Sequence, residues 1–150
     1  MSNHPHIVCS SCGAINRVDL SQVAKAVCGK CKGAVYPPSP LELTASAFDR
    51  HVFKSGVPVL VDFWSPGCGP CQMMGPQFAE AAQALYPGVR LFKVNTQVEQ
   101  ALAGRFDIMS VPTLALFRNG KEIARQPGAM AKADIMRWVQ GQILLAAHGN

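Results

Sequence analysis

Apolar residues change their spacing several times along the chain, and each change predicts an element. The run Val57-Pro58-Val59-Leu60-Val61-Asp62-Phe63-Trp64 is almost continuously β-branched and aromatic, which predicts a strand buried on both faces. Ahead of it, Phe48, Val52 and Phe53 fall on one side of a short helix that Thr44 is placed to cap and Gly56 to end. Beyond it, residues 69–86 are rich in Ala and Met and predict a helix kinked at Pro76, where proline removes a backbone donor. Residues 89–95 predict a second strand and 98–106 a short helix. Residues 113–117 and 122–126 flank Arg118-Asn119-Gly120-Lys121, in which Asn-Gly is a strong hairpin signal. A last helix over 132–147 places Ile135, Val139 and Ile143 at i, i+4 and i+8. The order strand-helix-strand, then strand-strand-helix, predicts an α/β domain with a central mixed sheet flanked by helices.

This patterning stops short of the N-terminus. Tyr36-Pro37-Pro38-Ser39-Pro40 favours an extended connector, since each proline disfavours helix before it. The chain therefore divides into a module over 1–36, a linker over 37–40 and a domain over 41–150. The first module has four cysteines and few large apolar groups. About 35 residues of that kind bury little core and need a metal or disulfides to hold them.

Composition adds a few exclusions. With 49% apolar and 15% charged residues, the 150-residue chain has a globular balance. Its formal charge of +5 is spread along the sequence, and no block of Lys and Arg resembles a nucleic-acid arm, so nucleic acid is not an expected partner. The apolar runs at 57–64 and 143–147 are far shorter than the roughly 18 residues of a membrane span. Met1-Ser2-Asn3-His4-Pro5-His6 lacks the basic start and apolar stretch of a secretory signal, so a cytoplasmic address is expected.

The six cysteines all fall in C-x-x-C pairs: Cys9/Cys12, Cys28/Cys31 and Cys68/Cys71. Tight pairs without a secretory signal point to metal ligation or redox chemistry, not to an extracellular disulfide framework. Cys68 falls where a buried strand turns into a helix. There the unpaired N–H groups and the positive end of the dipole stabilise a thiolate and make it a nucleophile near neutral pH. Cys71 lies one turn on and on nearly the same face, within reach of a disulfide. Pro70 suits the first turn because its missing N–H is not needed there.

The stretch Asp62-Phe63-Trp64 with Cys68-Gly69-Pro70-Cys71 resembles the active site of the thioredoxins. The likeness extends over roughly 41–145, through Pro76, Phe92-Lys93-Val94-Asn95, Ser110-Val111-Pro112-Thr113, Phe117-Arg118-Asn119-Gly120 and Gly128. It implies the thioredoxin fold, a protein-disulfide reductase, NADPH-dependent thioredoxin reductase as electron donor and disulfide-containing client proteins as substrates. Under that resemblance Cys68 is the nucleophile and the more buried Cys71 resolves the mixed disulfide. Asp62, desolvated in its apolar strand, has a raised pKa and serves as base toward Cys71. Lys93 stands in the position that interacts with this carboxylate. Pro112 resembles the cis-proline of the family, and a cis Val111–Pro112 bond would expose backbone for pairing with a client strand. Trp64, Gly67, Gly69, Pro70 and Gly128 complete the client-facing rim. Gly67 departs from the family pattern, which has Trp before the first cysteine; this bears on client preference.

Cys9-x2-Cys12-x15-Cys28-x2-Cys31 fits a closed four-cysteine zinc site, in which Gly13, Gly29 and Gly33 suit tight knuckles; two disulfides or an iron–sulfur centre are the competing readings. His4, His6, His51 and His148 read as surface residues. A four-cysteine ribbon ahead of a thioredoxin domain resembles the zinc-containing thioredoxins of bacterial cytoplasm. That resemblance implies a single structural zinc ion on Cys9, Cys12, Cys28 and Cys31, and a link to oxidative stress through thiolate oxidation. A monomer is expected. The rival functions are a partner-docking scaffold and a zinc buffer, and both leave the redox motif unexplained.

Overall fold

In the computed structural model, which describes residues 4–148, the chain starts with a small antiparallel hairpin. Its strands are β1 (His6–Val8) and β2 (Ile15–Arg17), and a 3-10 turn follows at Leu20–Lys25. The first three residues, which contribute to the reading of the leader, lie outside the described part. The hairpin is followed by β3 (Leu41–Glu42), α1 (Ala45–Phe53), β4 (Val59–Trp64), α2 (Gly69–Leu85), β5 (Arg90–Asn95) and α3 (Gln100–Arg105). It ends with β6 (Thr113–Arg118), β7 (Lys121–Pro127) and α4 (Lys132–His148).

The main sheet has the order β3-β5-β4-β6-β7. The first three strands are mutually parallel, β6 runs antiparallel to them, and β7, antiparallel to β6, points the same way as the first three. Alternation along the strands sorts side chains between two cores. Leu60, Leu91, Leu114 and Leu116 meet α2 and α4 on one face. Val59, Val61, Phe63, Phe92 and Phe117 meet α1 and α3 on the other, where the Phe48 ring lies 5.2 Å from Phe106 and 6.0 Å from Phe117. Both faces of β4 are thus covered, as its apolar run predicts. Among the described residues, no helix is long and apolar enough to cross a membrane.

Two local expectations differ from the structure. Thr44 occupies the N-cap of α1, but its side chain makes no cap; the Glu99 carboxylate accepts the Ala45 N–H at 2.9 Å instead. The helix ends at Phe53 with Lys54 as its C-cap, two residues before Gly56. Gly56 answers to a close approach: its N–H donates to the His6 carbonyl at 2.7 Å, and a Cβ there would meet Pro5 Cβ at 2.7 Å. Pro76 lies inside the single helix α2, as the sequence places it.

The N-terminal module is not left to its own few apolar residues. Ile7, Val18, Val23, Val35 and Tyr36 form a third core with Val57 and Tyr86 of the larger part. At its base lies Arg90, 3% exposed, whose guanidinium donates to the Val8 carbonyl at 2.6 Å and the Val35 carbonyl at 3.5 Å and stacks beneath the Tyr36 ring. Tyr86 Oη donates to the Tyr36 carbonyl at 2.6 Å, and Tyr36 Oη lies 3.1 Å from the carbonyls of Pro87 and Val89. Arg50 donates to the Gly13 carbonyl. Burial lowers the Arg90 pKa to about 10, which leaves it charged at neutral pH. The seam therefore satisfies a buried cation with carbonyl oxygens and π faces, with no carboxylate among the partners described.

Candidate functional site

At the C-terminal end of β4 the chain turns outward through Ser65-Pro66-Gly67 and enters α2 at Cys68. Cys68 is the N-cap: its Sγ accepts the Cys71 N–H at 3.1 Å, and Pro70 stands in the first turn where no donor is required. Cys68 and Cys71 are joined as a disulfide with Cα atoms 5.2 Å apart. The two sulfurs differ in access, since Cys68 is half-buried and Cys71 is 5% exposed. A thiolate formed at Cys68 keeps the N–H donor and the helix dipole as stabilising partners.

Cys71 opens the buried face of α2, followed by Met74, Phe78, Ala81, Ala82 and Leu85. That face lies on the side of the sheet to which Leu60 and Asp62 of β4 point. Asp62 is 1% exposed, and its Oδ1 has no hydrogen-bond partner. Burial pushes its pKa up to about 7; Lys93 opposes that rise and Glu42 adds to it. Lys93 sits directly across from Asp62 in the parallel β4–β5 register, and its ammonium lies 4.6 Å from the centre of the Trp64 ring. The Trp64 indole N–H donates to Glu42 Oε2 at 3.1 Å.

Opposite the dithiol, the Val111–Pro112 peptide is cis, and the Val111 carbonyl lies 3.5 Å from Cys68 Sγ. Tyr86–Pro87 is a second cis bond. Gly128 holds a φ of +97°, a conformation that favours glycine, and its N–H donates to the Pro112 carbonyl at 2.8 Å. Gly67 and Gly69 have nothing within 4 Å of where a Cβ would sit. Met73 and Met109 are strongly exposed, at 78% and 91%. The structure thus links Cys68 to Cys71 and to the Val111 carbonyl, and Pro112 to Gly128, while Asp62, Trp64 and Lys93 share one face of the adjoining strands.

Glu42 is the functional candidate that sequence reading passes over. Its signal is the register partnership with Lys93, which exists only once the two-residue β3 is recognised as a strand.

A second cluster lies in the N-terminal module. The sulfurs of Cys9, Cys12, Cys28 and Cys31 all lie within 4.8 Å of one another. The closest pairs are Cys9–Cys31 at 3.7 Å and Cys12–Cys28 at 3.6 Å. Disulfide sulfurs sit about 2.05 Å apart, so the four thiols are unpaired. A tetrahedron with metal–sulfur bonds of about 2.3 Å has edges of about 3.8 Å, which these spacings fit. Each knuckle aims backbone N–H groups at sulfur, from Ser11 to Cys9 at 3.4 Å and from Lys30 to Cys28 at 3.3 Å. The Cys31 N–H and the Asn16 amide lead in holding the Cys28 thiol well below its ordinary range, at about 6. The knuckle glycines behave unequally: Gly13 has φ +79°, whereas the left-handed residue of the second knuckle is Lys32 at +67°, not Gly29 or Gly33. His51, expected at the surface, is 4% exposed against the Phe92 ring, and burial lowers its pKa to about 4.

The family model for thioredoxin matches residues 39–141 of this chain. Thioredoxin C-3 of Corynebacterium nephridii is 39% identical over 138 residues, which cover 91% of this chain and 94% of that protein. That alignment is too long to lie wholly after residue 38, so it enters the cysteine-bearing module. Thioredoxin 1 of a Nostoc species is 38% identical over 99 residues, 66% of this chain and 92% of that protein. The thioredoxin of Haemophilus influenzae is 36% identical over 103 residues, 69% and 96% respectively.

Proposed function

Because the chain belongs to the thioredoxin family of thiol–disulfide oxidoreductases, we propose that it reduces protein disulfides through Cys68 and Cys71. The observation that supports this reading most directly is the asymmetry of the pair: a half-buried N-cap sulfur bonded to a buried one. The Cys68 thiolate attacks one sulfur of a client disulfide. A Cys68–client bond forms, the client S–S bond breaks, and the second client sulfur leaves as a thiolate. Asp62 then takes the Cys71 proton, and Cys71 attacks Cys68 Sγ, which frees the first client sulfur. The client gains two electrons, its two thiolates take up the proton passed to Asp62 and one from water, and the chain ends with the Cys68–Cys71 disulfide. Thioredoxin reductase, drawing on NADPH, restores the dithiol. Trp64, Gly67, Gly69, Pro70, Val111, Pro112 and Gly128 form the surface on which the client backbone lies.

With thioredoxin reductase and insulin, the full chain is expected to support NADPH oxidation by the reductase, with precipitation of the freed insulin chains. Absence of turnover, with Cys68 and Cys71 shown to be reduced and accessible, would replace this reading with a partner-binding one.

We assign residues 1–36 as a zinc module, 37–40 as its linker and 41–150 as the redox domain. A zinc ion on Cys9, Cys12, Cys28 and Cys31 has four thiolates and no open position, so it is structural. The setting we propose is a reducing cytoplasm, with the chain acting as a monomer in redox homeostasis and the response to oxidative stress. Elemental analysis of the purified full chain is expected to give one zinc per chain, and a substoichiometric amount in Cys28→Ser. A visible charge-transfer band with bound iron would point to the iron–sulfur alternative instead.

A further inference from the structure

Three strands bring a row of charges to one face of the sheet. Glu42 of β3 stands beside Lys93 of β5, which stands beside Asp62 of β4. Paired residues in parallel strands share a face, so the Lys93 side chain starts between two carboxylate-bearing positions, one exposed and one buried. It forms an ion pair with neither among the described residues. It rests instead against the Trp64 indole, 4.6 Å from the ring centre. That indole starts two residues after Asp62 on the same face, and its N–H donates to Glu42 Oε2 at 3.1 Å.

From this arrangement we infer that Glu42 is a positioning residue for proton transfer at Cys71. It fixes the Trp64 indole over the Lys93 ammonium and so fixes how far that cation stands from Asp62. The inference rests on the disulfide-reductase reading of the same site. Glu42 acts twice, and both actions have the same sign. As an anion it disfavours a second negative charge at Asp62, and as an anchor it keeps a cation from closing on that carboxylate. Among the described residues, Lys93 and Glu42 are the charged groups that act on the Asp62 carboxyl. Leu114 of β6 is its register partner, and the core on this side of the sheet is built from apolar side chains that include Met74, Phe78, Ile135 and Val139. The titratable group at the start of α2 is Cys71, to which the proton belongs. A short exposed strand residue thereby keeps the buried carboxylate protonatable in the range where it serves as an acid–base partner.

Glu42→Ala and Glu42→Gln separate the two actions, because Gln retains an acceptor for the indole but not the charge. In the oxidised full chain, the Asp62 carboxyl is followed by carbon NMR against pH, and the Trp64 indole N–H is followed apart from that of Trp138. Glu42→Ala is expected to lower the Asp62 midpoint by about one unit and to shift the Trp64 signal. Glu42→Gln is expected to lower the midpoint by less and leave the indole near its native position. The pH profile of insulin reduction should move toward acid in the same order. An unmoved Asp62 midpoint in Glu42→Ala overturns the inference, whether or not the indole shifts, because a merely structural contact moves only the indole. Failure of the native chain to reduce insulin strikes the reductase reading alone, since the titration needs no turnover.

Discussion

Cys68→Ser is expected to abolish insulin reduction, lowering the coupled rate by roughly a thousandfold or more to the background of the assay. A serine hydroxyl at this N-cap still accepts the Cys71 N–H, so the entrance to α2 is preserved, but the hydroxyl does not ionise near neutral pH. No mixed disulfide can form at that position. Cys71, 5% exposed, cannot take its place as the attacking sulfur. The comparison is made between reduced proteins, because the variant also lacks the native disulfide and its contribution to stability. Cys71→Ser provides the contrast: it should retain the attack and accumulate the Cys68–client adduct, visible by mass. Substantial turnover by Cys68→Ser would remove Cys68 from the nucleophile's role.

Asp62→Asn is expected to remove the share of the pH dependence of stability that Asp62 contributes. The folded carboxyl titrates at about 7, and an unfolded one near 3.9. Below about pH 4 the group is protonated in both states and costs nothing. Between about 4 and 7 only the unfolded chain ionises it freely, so native stability falls as pH rises. Above about 7 the folded state carries the whole cost of the buried carboxylate. With a shift of about three units and 1.36 kcal/mol per unit, that cost is on the order of 3–4 kcal/mol. Denaturant melts should therefore show the variant gaining on the native chain by about that amount between pH 4 and pH 9. Any fixed cost of the buried amide cancels in the comparison. A difference independent of pH would mean that Asp62 ionises normally. The same variant should slow the resolving step, because Cys71 loses its proton acceptor.

Both predictions rest on residues that were legible in the sequence because their chemistry is local. A cysteine at a strand-to-helix junction, a partner one turn on, and one carboxylate in an apolar run can be read without knowing what else packs nearby. The four-cysteine spacing is legible for the same reason. What could not be read depends on groups far apart in the chain. The N–H that Thr44 was expected to cap goes to Glu99, 54 residues away from Ala45. Arg90 falls in the predicted strand over 89–95 with nothing local to mark it as buried, and its burial makes sense only once Val8 and Val35 are seen to supply carbonyls. β3 is two residues long, too short for any periodicity, so Glu42 shows no link to Lys93 or Trp64 until the sheet is assembled. Lys32 takes the left-handed conformation in a knuckle where two neighbouring glycines seemed better suited.

The guanidinium at the base of the third core ties the free energies of the two modules together. Any opening that carries the first strand pair away exposes the apolar side chains of the third core to water and breaks the Arg90 bonds to Val8 and Val35, so it also loosens β5 at its Arg90 end. Whatever binds only the folded cysteine knuckles then protects amides along β5 from hydrogen exchange, although it touches none of them. The thermodynamic linkage runs both ways, so loosening of the sheet at its Arg90 end weakens the hold on a metal in the knuckles.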